Sequence, residues 1–573
     1  MRLRRILRRA PWPLRRRLLR VVERHVLPRS APGGRLRLAR RVVPPIGPLP
    51  RAAGPGLFRV RTANGPVTAR SVAAASPAQV RRDNVDRVTE LLSAAGVDWF
   101  RVPNASFTHT AVAVPEPDRE RVLPLLRDVT LPGAGRLRRL GRSGLVWRVC
   151  WPVTDPGGGL VLGDEFGCDV EFWLERDGTL TAPRSNPVAD VVAKDDRAVT
   201  AFESAFGDFC APFDSAPFDS APHRTPYRTR RVFTMAAPER IRFPVDAVFT
   251  WVDGADPDWR RRKDRALAAN PWAAAHPQAA SASRYTSRDE LRFALRSVHC
   301  FAPWIRRIFL VTDDQVPSWL DSAHPDVTVV AHREIFGTTG ALPTFNSQAI
   351  ETRLHHIPGL AEHFLYLNDD VLLGRPVAPD MFFTPGGLTR FFPSTARIGS
   401  LPREVADAPT ASSGKNNRRL IEEAFGRVLS HRMMHTPHPS RRSVLTEIAD
   451  RFAEQVAATA GHRFRHPDDV AMLSSLQQYY AYLTGRAAPG AIAYAYLDLA
   501  SPHTPFRLAR LMRDRHLDTF CLNDVDADAD VAAEQAALVA DFLPAFLPFA
   551  APWERRAAPL PRPRPIELTW EYV

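Results

Sequence analysis

The chain has 573 residues, 45% hydrophobic and 24% charged, a size and balance that provide for two or three globular domains and exclude disorder in bulk. Its formal net charge of +15 points to a polyanion partner only until it is located: residues 1–51 hold sixteen arginines against one acid, Glu23, so that stretch carries the whole excess and the other 522 residues sum to about zero. Nucleic acid is thereby excluded as a partner of the protein body, and five widely spaced cysteines without a CxxC pair exclude a disulfide framework and argue against a zinc site.

The cysteine usage points to a reducing, cytoplasmic setting. Of the 77 basic residues only Lys194, Lys263 and Lys415 are lysines, a bias that fits a high-GC bacterial genome. The opening segment, residues 1–29, interleaves Arg with Leu, Ile, Val and Trp12. That is the pattern of a peripheral segment on the anionic inner face of the cell membrane, and equally of a solvated basic tail. No run of about 18 uncharged apolar residues is present to span a bilayer, and the N-terminus lacks the apolar stretch of a signal peptide.

Residues 1–56 end in a Pro- and Gly-rich linker. From 57 to 205, helix periodicity in VDRVTELLSAAGVDWFRV and RERVLPLL alternates with the strand-like runs TAVAVP, GLVWRVCWPV and CDVEFWLE. This predicts a small α/β or α+β accessory domain. Residues 206–240, with the tandem PFDSA at 212–221, read as a second, Pro-rich linker. Beyond it, VDAVFTW, RIFLVT, VTVVA and HFLYLN read as strands separated by helices. They predict an α/β domain over 241–530 with a mainly parallel sheet and ligands at the carboxyl ends of its strands, followed by a C-terminal helix and tail over 531–573.

Polar clusters fall at those strand ends. In VDAVFTWVDGADPDW, Asp246 lies inside an apolar strand and needs a partner. Gly254 is suited to a positive φ that turns backbone N–H groups toward a ligand, and Asp253 to a ribose hydroxyl or a cation, although an Asp-Gly turn has the same composition. In RYTSRDELRFALRSVHC, Ser287 and Glu290 have capping-box spacing. Arg292 and Arg296 share a helix face on which they would hold phosphate or pair with acids. HFLYLNDD delivers Asn368, Asp369 and Asp370 at a strand end, and two adjacent acids suffice for Mg²⁺ (or Mn²⁺) on a diphosphate. His435 and His438 in HTPH are candidate general bases; no third His or Cys follows at recognisable spacing, which argues against zinc. Arg465 and His466 stand beside Asp468 and Asp469, where they would face phosphate or cap a helix.

In order, these segments resemble the Stealth proteins, a family that includes bacterial capsule and exopolysaccharide hexose-1-phosphate transferases and the animal lysosomal-enzyme N-acetylglucosamine-1-phosphotransferase. The resemblance runs through VDAVFTWVDGADP, DELRFALRSVHCFAPWIRRIFLVTDDQVPSWL, LPTFNSQAIETRLHHIPGLAEHFLYLNDDVLLG, and then HTPH, FRHPDD and CLND. It implies a nucleotide-sugar transferase-like catalytic domain, with the family's essential aspartate at Asp370, its histidine at His435 and its arginine at Arg465; Asn523 and Asp524 match its last motif. The implied activity transfers a sugar 1-phosphate from a nucleotide diphosphate sugar, UDP-linked by expectation, to a hydroxyl of an oligo- or polysaccharide acceptor. A metal-dependent glycosyltransferase releasing the nucleoside diphosphate, or a non-catalytic carbohydrate-binding protein, would share the strand-end acids.

Overall fold

The computed structural model describes residues 47–48, 54–62, 65–130, 133–207, 209–210, 226–235, 237–276, 279–404, 407–523 and 529–555. The basic segment 1–29 and the PFDSA tandem lie outside the described residues. Among the described residues no helix is long and apolar enough to cross a membrane.

The N-terminal half is built around a mixed sheet whose central strand, Cys168–Arg176, pairs parallel with Thr110–Pro115 and antiparallel with Val146–Cys150. The helix Pro77–Ala94 opens on Ser76, whose side chain accepts from the Gln79 amide, with Pro77 in the first turn. It seats Val85, Val88 and Leu92 on the sheet. The presumed linker 206–240 is not wholly a linker. Tyr227–Arg230 forms a strand antiparallel to Ala198–Ala201, the Tyr227 hydroxyl donates to Asp86 at 2.7 Å, and Phe233 is fully buried in the N-terminal core. The aromatic and β-branched residues of YRTRRVF supply the apolar surface that draws this segment in.

The C-terminal half contains a five-stranded sheet. We number its strands and those of a smaller sheet in chain order: β1 (Val245–Thr250), β2 (Ile308–Thr312), β3 (Val327–Ala331), β4 (His363–Asn368), β5 (Val371–Leu373), β6 (His438–Arg441), β7 (Tyr494–Asp498) and β8 (Thr519–Asn523). The large sheet has the order β3-β2-β1-β4-β6, parallel except for β6. Its parallel strands are apolar along nearly their whole length because helices cover both faces. Two cores result, one holding Ala247, Phe249, Leu310 and Leu365, the other Val248, Phe309, Val311 and Phe364. Only Asp369 and Asp370 separate β4 from β5, which enters the small sheet β5-β8-β7. The helices α1 (Pro257–Ala268), α2 (Glu290–Phe301), α3 (Thr504–Asp514) and α4 (Ala529–Phe546) complete the parts that bear on the site. α4 starts slightly before the expected C-terminal segment, and the core it joins continues to Trp553.

Asp246 sits at the start of β1, the end remote from the strand termini where ligands are expected. It is fully buried and accepts from Arg306 Nε at 2.8 Å and Nη2 at 2.5 Å and from the Ala361 amide at 2.7 Å. Its role is to hold the β4 entry against β1, not to bind substrate. Arg306→Ala would strand this carboxylate without its counter-ion. We expect a loss of about 3–5 kcal/mol, read as a lower midpoint in urea unfolding.

Candidate functional site

Asp370 is the centre of the site. Its Oδ1 lies 3.2 Å from His435 Nε2, and its Oδ2 accepts from the Cys521 thiol at 3.0 Å. The three ligand-type atoms lie within 4.8 Å of one another. Cys521 is the third residue that sequence spacing did not reveal, because the antiparallel pairing of β5 with β8 sets Cys521 opposite Val371. The histidine motif thus gains a neighbouring thiol in three dimensions that no spacing in the sequence shows. Burial, then Asp370, holds the thiol well above its ordinary range, so it serves as a hydrogen-bond donor and not as a thiolate.

The adjacent acids have opposite electrostatics. Burial pushes Asp370 upward, but the His435 charge, its hydrogen bond and the thiol outweigh that and leave the carboxyl below its ordinary value. Asp369 is held well above, by burial and then by the Asp370 and Glu290 carboxylates. Burial lowers His435, but the Asp370 interaction is stronger in sum and the imidazole titrates above 6.5. Asp370 thus orients His435, while Asp369 is a carboxyl whose charged form is opposed by its surroundings.

Arg465 donates to the Ser347 hydroxyl at 2.9 Å. Burial, then nearby Arg284, brings it down to about 10. Like charges brought together in a half-buried setting suit a multiply charged anion. Glu351, at the end of the short helix Ser347–Glu351, was not recognised from the sequence. It is buried, accepts from the amides of Leu473 and Ser474 and from the Ser474 hydroxyl, and its charge acts on both His435 and Arg465. Asn346 caps that helix and donates to Asp469 at 2.8 Å, and Asp469 also accepts from the His466 amide, so the third and fourth motifs are physically one unit.

The other predicted residues fall elsewhere. His438 lies in β6 opposite Tyr366 and is buried. Burial, then His435, brings it down to about 3, too weak a base near neutral pH. Arg292 and Arg296 both clamp Glu554, at 2.6 and 2.5 Å, and Arg296 also donates to the Leu547 carbonyl; they fasten the C-terminal segment. Gly254 does not adopt positive φ. Its N–H donates to the Tyr285 carbonyl at 2.8 Å, and a Cβ there would lie 2.4 Å from that oxygen, so close approach is its reason. Asp253 stands past the end of β1, where its carboxylate accepts from the Ala255 amide and its backbone amide meets Gln315. Ser287 and Glu290 form no capping box: α2 starts at Glu290 after Asp289, and Glu290 accepts from the Arg288 amide. Asn368 ends β4 and Asn523 ends β8, both half-buried. His466 stacks on His462 and leans on Trp272. Asp524 lies outside the described residues.

Against known proteins, the four Stealth conserved regions match in order: region 1 at residues 243–271, region 2 at 284–391, region 3 at 434–482 and region 4 at 509–565. An exopolysaccharide phosphotransferase of Streptomyces coelicolor is 44% identical over 535 residues, covering 87% of this chain and 88% of that protein. The chain belongs to the Stealth family. Another relative, the exopolysaccharide phosphotransferase CpsY of Mycobacterium tuberculosis, is 38% identical over 408 residues, 71% of this chain and 72% of its own. A solved galactosyltransferase, LgtC with donor and acceptor sugar analogues, overlaps 52% of this chain and 95% of its own at 13% identity and a TM-score of 0.29, a likeness too slight to carry an argument. This Stealth protein is an enzyme of the phosphotransferase class.

The Asp370–His435 pair links site to stability. Asp370, depressed, contributes stability that is lost as pH falls through its folded value. His435, raised, contributes stability present below 6.5 and lost as pH rises through its folded value. The pair is fully stabilising between the ordinary values of the two groups, 3.8 and 6.5. NMR titration should show the His435 ring titrating above 6.5 and moving down in Asp370→Asn; a ring unmoved by that change would refute the pairing.

Proposed function

We propose that this enzyme transfers a sugar 1-phosphate from a nucleotide diphosphate sugar to a sugar hydroxyl, building a phosphodiester in a cell-surface exopolysaccharide. The supporting observation is the Asp370–His435 contact of 3.2 Å at the carboxyl edge of the parallel sheet, with Arg465 close enough to act on the same imidazole. The printed names of the relatives agree with it.

The acceptor oxygen attacks the phosphorus that carries the sugar. The bond from that phosphorus to the bridging diphosphate oxygen breaks, and the nucleoside monophosphate leaves. With His435 Nε2 committed to Asp370, its Nδ1 lone pair takes the hydroxyl proton. Arg465 meets the phosphate oxygens, and Glu351 holds the Ser474 turn beside it. Asp369, with Asp370, would hold Mg²⁺ or Mn²⁺, which when bound supplies neutralisation of diphosphate charge. The basic residues 1–29 would keep the enzyme against the anionic inner membrane surface.

The test is ³¹P NMR of products formed from UDP-sugars, with the released nucleotide identified. A phosphodiester and UMP are expected; UDP without a phosphodiester would establish an ordinary glycosyltransferase instead. His435→Ala should cut turnover by roughly 10²- to 10⁴-fold, and full turnover in that variant would remove the base assignment. Asp369→Asn should raise the Mg²⁺ concentration needed for half-maximal rate, and an unchanged requirement would remove Asp369 from the metal.

A further inference from the structure

The small sheet carries a face that the phosphoryl chemistry does not use. In the parallel pairing of β7 with β8, Tyr494 lies opposite Thr519, Tyr496 opposite Cys521 and Asp498 opposite Asn523. Alternate residues of a strand share a face, and paired residues project to the same side. Tyr494, Tyr496 and Asp498 therefore share a face with Cys521 and Asn523, and Cys521 touches Asp370 at 3.0 Å. The intervening Leu497 is in the core at 1% exposure, yet Tyr496 is 45% exposed. The strand beneath it is fixed, since Arg507 donates to the Tyr496 carbonyl at 2.9 Å and the Asp498 carboxylate accepts from the Ala500 amide. The Tyr494 hydroxyl is buried beside the His435 main chain. An open aromatic ring thus lies one thiol away from Asp370, the acid that orients the base, with a carboxylate and an amide one step further along the same face.

We infer that this face is the acceptor subsite, with Tyr496 the platform on which the pyranose ring that offers its hydroxyl to His435 is seated, and Asp498 and Asn523 the groups that bind its remaining hydroxyls. An apolar ring face bordered by a few polar groups is what a pyranoside requires. Its axial C–H bonds form an apolar patch that packs on the electron-rich face of an aromatic ring, while its equatorial hydroxyls need acceptors and donors at the edge. The donor diphosphate is assigned instead to Arg465, which lies on Ser347, and this leaves the face to the acceptor. This assignment rests on reading the site as a transferase, but binding tests it without turnover.

Saturation-transfer NMR on the intact protein reports it. Methyl α-D-glucopyranoside, methyl α-D-mannopyranoside and methyl β-D-galactopyranoside serve as acceptor-side probes, and UDP as the donor-side probe. Saturation of the ring protons of at least one glycoside is expected in the native protein and in Tyr496→Phe, and its loss in Tyr496→Ala, with UDP saturation kept in all three. In turnover, the KM for that glycoside should rise roughly fivefold to thirtyfold in Tyr496→Ala, with a smaller change for the donor. The inference falls if no glycoside is saturated in the native protein, if the glycoside signal survives in Tyr496→Ala, or if the UDP signal disappears with it. A failure of the phosphoryl-transfer reading would show instead as glycoside saturation that depends on Tyr496 in a protein that makes no phosphodiester.

Discussion

The site depends on one carboxylate held from two sides. Asp370 is the last residue before β5, and its two oxygens are divided between an imidazole and a thiol, while its carbonyl accepts from the Leu522 amide at 3.0 Å. Those three bonds fix the position of the turn that joins the large sheet to the small one. They also separate the chemistry of two adjacent, identical side chains. The acid that accepts from the imidazole stays ionised, and its neighbour, left to repel two carboxylates, is driven toward its neutral form. The same turn therefore sets an ionised acid that orients His435 beside an identical side chain of opposite preference.

The arginines follow the same logic of partners. In a chain where 74 of 77 basic residues are arginine, residue type says little about which guanidinium meets a phosphate. Arg306 is neutralised by Asp246, Arg262 by Asp313, and Arg292 and Arg296 by Glu554. Arg465 differs in donating to a hydroxyl. A guanidinium already paired with a carboxylate must exchange that partner to take an anion, whereas one on a neutral hydroxyl gains a full charge interaction. That difference is set by the tertiary fold.

The apolar strand runs and the acids at their ends were legible in the sequence because both are local: a buried parallel strand is nearly uniformly apolar, and its ligand end shows as an abrupt change to Asn and Asp. The order of the motifs made Asp370, His435 and Arg465 identifiable together. What was not legible depends on separation along the chain. Cys521 joins Asp370 across 151 residues, and Glu351 meets the Ser474 turn across 123; nothing local distinguishes either from a core thiol or a surface acid. Arg292 and Arg296 have the spacing of a phosphate clamp, and only a distant Glu554 decides otherwise. The segment 226–235 was hidden for a different reason: the Pro-rich composition beside it masked a short strand that has meaning only once Ala198–Ala201 is there to pair with it.

These separations also dictate how the site is completed. The large parallel sheet draws on residues 245–368 with β6 added from 438–441, but β5 finds its partners only in β7 and β8, from 494 onward. Closing loops of that length is entropically costly and must be offset by burial at the far end. The C-terminal elements provide it. Phe520 of β8 packs edge-on against Phe542 and Phe546 of α4, and beyond α4 the Glu554 carboxylate is locked by two arginines of α2, the helix whose Ser297 hydroxyl accepts from the Leu373 amide at the end of β5. The residues after the last motif therefore hold β8 against β5, and through that pairing hold Cys521 on Asp370. His435 is oriented by an acid whose own position is secured by residues 529–555, so the arrangement around Asp370 is completed only when these elements are in place.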